Sequence, residues 1–78
     1  MFVLNIRQVL YYYEKTIYFI GGATYAVSEN LEKKILEEFK NNKKMVEKNK
    51  YYINIDNILY MNMQTGEVYF IGNILIQL

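Results

Sequence analysis

Apolar and polar positions along this chain alternate mostly with the period of a strand, and take a helical period over one stretch only. Phe2, Leu4 and Ile6 alternate against Val3 and Asn5, which predicts a strand over 2–6. Arg7-Gln8 interrupts it, and Val9–Tyr13 predicts a second strand. Glu14-Lys15 reads as a tight polar turn before a third strand, Thr16–Ile20. Gly21-Gly22 supplies the positive φ that a tight hairpin turn needs, and Ala23–Val27 predicts a fourth strand. Leu31, Ile35, Leu36 and Phe39 then fall at i, i+4, i+5 and i+8, one apolar stripe on an amphipathic helix. Ser28 is its expected N-cap, and Asn41-Asn42 its expected end, through the left-handed conformation that Asn tolerates. Lys43–Lys50 reads as a basic loop pinned by Met45 and Val46. Tyr51–Ile55, Ile58–Met63, Glu67–Ile71 and Ile74–Leu78 predict four more strands. Asp56-Asn57, Gln64-Thr65-Gly66 and Gly72-Asn73 separate them as turns.

The two β-rich ends repeat each other. Asn5, Ile6, Leu10 and Tyr11 recur as Asn54, Ile55, Leu59 and Tyr60 at an offset of 49 (54 − 5). With two extra residues in the second loop, Tyr18-Phe19-Ile20-Gly21 recurs as Tyr69-Phe70-Ile71-Gly72 at an offset of 51 (69 − 18). Apolar pairs such as Val9/Ile58 and Ile17/Val68 lie between. The prediction is a predominantly β (α+β) fold. Two similar antiparallel β units of about four strands each flank one helix. Its parts are a first unit over 1–27, a helix over 28–42, a basic loop over 43–50 and a second unit over 51–78.

Composition narrows the function. A chain of 78 residues is one domain, and at 53% apolar it folds rather than remaining disordered. Nine tyrosines and four phenylalanines suit strands and interfaces. Their apolar strand faces exceed what a chain this size buries alone, which points to a homo-oligomer or a protein partner. With neither Cys nor His, the chain lacks a thiol nucleophile, an imidazole base and the donors of a zinc site. We expect no enzymatic activity, no cofactor and no metal. No apolar run reaches membrane-spanning length, and a cytoplasmic protein without membrane association is expected.

Candidate sites are few. Tyr11-Tyr12-Tyr13 could stack bases, but strand alternation divides it between two faces and packing is the plainer role. Gly21-Gly22 lacks the spacing of a phosphate loop. Asp56 and Glu67 show no sign of meeting as an acid/base pair. Lys48 and Lys50, in the most basic stretch, could hold a phosphate backbone, although a net charge of +1 is far from strongly basic.

Three segments resemble the LytTR-type DNA-binding domain of bacterial response regulators. They are Val9-Leu10-Tyr11-Tyr12-Tyr13, Tyr25–Glu32 with Leu36 and Phe39 leading the helix, and Tyr51-Tyr52-Ile53-Asn54-Ile55-Asp56-Asn57-Ile58. The resemblance spans nearly the whole chain through core positions. It implies a β-rich fold that grips successive major grooves of duplex DNA with loops and regulates transcription. Carried over, the first contact loop is Glu14-Lys15 and the second is Lys48-Asn49-Lys50. Lys15, Lys48, Asn49 and Lys50 would therefore touch DNA. A partial likeness to small flagellar FlbD-type proteins covers only the first unit and the helix. A second expectation is a non-enzymatic protein-interaction or oligomerisation module that has lost DNA binding, such as an inhibitor or adaptor derived from a mobile element.

Overall fold

Both β units begin with an Asn whose side chain caps a single 3-10 turn. The Asn5 side chain accepts a hydrogen bond from the Arg7 N–H, and Asn54 does the same for Asp56. The turns run Ile6–Gln8 and Ile55–Asn57. Here the computed structural model, which describes residues 3–78, departs from the period-two reading of 2–6. The described part of that segment forms no strand, because Asn5 bonds its own backbone two residues on and starts a turn. Phe2 lies outside the described residues.

Each turn leads into a three-stranded meander. The first comprises β1 (Val9–Tyr13), β2 (Thr16–Phe19) and β3 (Thr24–Ala26). Helix α1 (Glu29–Lys40) follows, and then β4 (Met45–Lys48) and β5 (Tyr51–Asn54). The second meander is β6 (Ile58–Asn62), β7 (Glu67–Phe70) and β8 (Ile74–Gln77). The fold is thus mostly β and of the α+β class, with eight strands in two antiparallel sheets and one α-helix among the described residues.

The strands divide five and three, because β4 and β5 join the first meander in the order β3-β2-β1-β5-β4. Tyr11 pairs with Ile53 and Tyr12 with Tyr52 across the β1–β5 seam. Two boundaries move accordingly. Half of the segment expected as a basic loop is strand, since β4 pairs residue for residue with β5 from Met45/Asn54 to Lys48/Tyr51. As an edge strand it buries only Met45, so its other positions carry polar groups that hid it from pattern reading. Asn41 ends the helix in right-handed geometry at φ −87°, not left-handed, with its N–H on the Glu37 carbonyl.

The repeat extends to fine detail. A register shift, with one extra residue on the first strand, falls between Val9 and Tyr11 and again between Ile58 and Tyr60. The Ile20 N–H reaches the Gln8 carbonyl at 2.9 Å, and the matched Ile71 N–H reaches Asn57 at 3.0 Å. Gly21-Gly22 and Gly72-Asn73 all have positive φ. The bulge puts Leu10 and Tyr11 of β1 on the same face, opposite Val9 and Tyr12.

Three layers result. On one face of the large sheet, Val9, Tyr12, Ile17, Met45 and Tyr52 pack on Ile35 and Phe39 of α1. Tyr12, Phe39 and Tyr52 meet ring to ring, with centroids 5.6 to 6.2 Å apart. On the other face, Leu10 and Ile53 pack on Val68, Phe70 and Ile76 of the small sheet. Buried amides close the seam beside the two 3-10 turns. Asn54 donates to the carbonyls of Ile6 and Val9 at 2.9 and 3.0 Å. Asn57 donates to those of Arg7 and Val9 at 3.1 and 2.7 Å.

Candidate functional site

Strand β1 is antiparallel to both β2 and β5, so the turns β1–β2 and β4–β5 emerge at the same end of the large sheet. That places Glu14-Lys15 beside Asn49-Lys50, although the two lie far apart in sequence. Both are two-residue turns with positive φ at both central positions: 46° and 61°, then 50° and 70°. This left-handed geometry matches the strand twist and turns all four side chains outward. Between them, the Tyr13 and Tyr51 rings stack with centroids 4.2 Å apart. Lys15, Lys48, Asn49 and Lys50 are all exposed. The fold therefore gathers the four residues singled out in the sequence onto one rim.

The rim is not a strong positive field. Lys15 lies 3.5 Å from the Glu29 carboxylate at the start of α1. Glu14 sits in the first turn and raises the Tyr13 hydroxyl pKa through a hydrogen bond and its charge. Glu47 precedes Lys48 in β4 and contributes, after burial, to raising that of Tyr52. The three lysines of this end of the sheet thus share it with three glutamates, of which Glu29 pairs with Lys15. The opposite end of the sheet carries an open hollow of about 450 Å³ lined by Asn5, Arg7, Asn42, Lys44, Asn54 and Asp56. A Lys44–Asp56 ion pair of 3.3 Å lies within it.

A second surface is apolar, and the sequence reading did not locate it. On the small sheet, Val68, Phe70 and Ile76 point inward, while Leu59, Tyr60, Tyr69 and Leu75 point away from the large sheet. Tyr60 and Tyr69 are a direct cross-strand pair with ring centroids 5.7 Å apart. Leu59 is 67% exposed, Tyr60 58%, Leu75 49% and Tyr69 37%. The signal that could have found this face was the repeat itself. Leu10, the counterpart of Leu59, is 1% exposed because the small sheet covers it. Among the described residues nothing plays that part for Leu59. Glu67 is the one charged side chain between Ile58 and Leu78.

No family model, curated protein or solved structure matches the chain. No helix among the described residues is long and apolar enough to cross a membrane.

Proposed function

We propose that this chain is a non-enzymatic interaction module that docks another protein surface on the outer face of its small sheet. The observation that carries this reading is the contrast between Leu10 and Leu59, equivalent residues of which one is buried and the other bare. An apolar, nearly uncharged sheet face of this kind marks an interface more often than a lone exposed leucine does. Leu59→Lys and Leu75→Lys place charge on that face while leaving the buried side of the sheet intact. Immobilised wild-type chain should retain a stoichiometric protein, and each variant should lose it while keeping the wild-type circular dichroism spectrum. Equal retention by the variants, or retention of nucleic acid alone, contradicts the reading.

A second reading is favoured by one observation, the convergence of Lys15, Lys48, Asn49 and Lys50 on adjacent turns. In it the chain is a LytTR-like duplex DNA-binding regulator with the rim set in the major groove. Asn49 would read base edges and the lysines would hold phosphates. Each lysine removed should flatten the slope of log affinity against log salt by about one. Absence of any anisotropy change with genomic duplex fragments at low salt rules it out.

A further inference from the structure

We infer that the occupant of the small sheet's outer face is the same face of a second copy of this chain, related by a two-fold axis. The inference rests on the interaction reading above and names its partner.

The internal repeat describes what such a face accepts. In the first unit Leu10 and Tyr11 are covered by an apolar sheet, with Phe70 stacked on Tyr11 at 5.5 Å between centroids and Tyr18 stacked beside Tyr11 on the same face. The matched face of the second unit offers Leu59, Tyr60 and Tyr69, with Leu75 where the first unit has Thr24. It is therefore more apolar than the face already known to be covered. An occupant must bring an uncharged apolar sheet of similar width. Within this chain the outward side of α1 is charged, with Lys33, Lys34, Glu37 and Glu38 exposed. The inward face of the small sheet is already engaged. The outer face of the small sheet is the surface that fits, and a two-fold axis brings it onto itself.

Polar groups agree with this arrangement. Asn62, Glu67 and Gln77 lie side by side at one end of the face by strand register. Face-to-face packing of two small sheets puts them at the rim, where Glu67 stays in water. The exposed parts of the four apolar residues, with the polar rim around them, make a small patch, and a pair of them falls at the low end of interface size, below about 1,200 Å², where association is weak and reversible. A concentration-dependent dimer is the expected species.

Sedimentation equilibrium of the full chain over micromolar to millimolar concentration tests this. A reversible monomer–dimer equilibrium is expected. Leu59→Lys and Leu75→Lys, on different strands, should each raise the dissociation constant at least tenfold with unchanged circular dichroism, and Lys34→Glu on α1 should not. A wild-type chain that stays monomeric throughout, while Leu59→Lys still abolishes capture of a different protein, overturns the second copy and leaves the docking reading standing. A dimer indifferent to both substitutions overturns the inference and removes this face from consideration.

Discussion

Asn54 directs its amide group at two carbonyls of the first unit and uses its side-chain oxygen to cap the second unit's 3-10 turn. It is 1% exposed, so replacing it leaves buried acceptors without water. Asn54→Ala should lower unfolding free energy by about 2 kcal/mol in a urea titration. A change within error would mean the amide lock is incidental. Tyr12 behaves differently. Burial, and then its 2.6 Å hydrogen bond to the Glu32 carboxylate, push its pKa up to about 12 from 10.0. The folded state therefore holds this proton more tightly than the unfolded chain. Its contribution is fully present below pH 10 and is lost as pH rises towards 12. Alkaline unfolding should begin above pH 10, and Tyr12→Phe should make stability less steep across that window. The sequence marked Asn54 as a repeat position, not as a lock. That role depends on Ile6 and Val9 lying across the seam, which no local pattern reveals.

Turns and strands show where pattern reading succeeds. The amphipathic stripe of α1 placed Ile35 and Phe39 in the core, as the structure has them. Ser28 occupies the N-cap, but its side chain makes no capping bond, so Ser28→Ala should change stability by less than about 0.5 kcal/mol. The β4–β5 hairpin was missed because its turn, Asn49-Lys50, has no glycine and its first strand is charged. Lys50 holds φ at 70°, a strained value for a side chain with a Cβ. Lys50→Gly should therefore raise the melting temperature, corresponding to about 0.5–1 kcal/mol, and a loss would show that the turn is not of this type. Gly66 is the reverse case. At φ +79° an added Cβ would sit 2.7 Å from the Leu78 carbonyl oxygen, so Gly66→Ala should destabilise by about 2 kcal/mol.

At the scale of the molecule, the repeat was legible from Asn5/Asn54 to Gly21/Gly72, but as two units of about four strands, whereas each is a three-stranded meander and Tyr51–Asn54 pairs with β1 of the first. What could not be read was how the meanders stack. Period-two alternation gives each strand two faces without saying which face meets which layer. The inner faces meet α1 in the first unit and the back of the large sheet in the second. That stacking leaves the outer face of the small sheet uncovered among the described residues. The rim of Lys15, Lys48, Asn49 and Lys50 was legible as residues but not as a place, since the β1–β5 pairing assembles it.

The most direct measurement compares Leu10 and Leu59 methyl groups by solvent paramagnetic relaxation in NMR on a dilute, ¹³C-methyl-labelled sample. Layered stacking predicts strong relaxation at Leu59 and almost none at Leu10, with the Leu59 effect falling as protein concentration rises. Equal relaxation at the two methyls, or protection of Leu59 at every concentration, would contradict it.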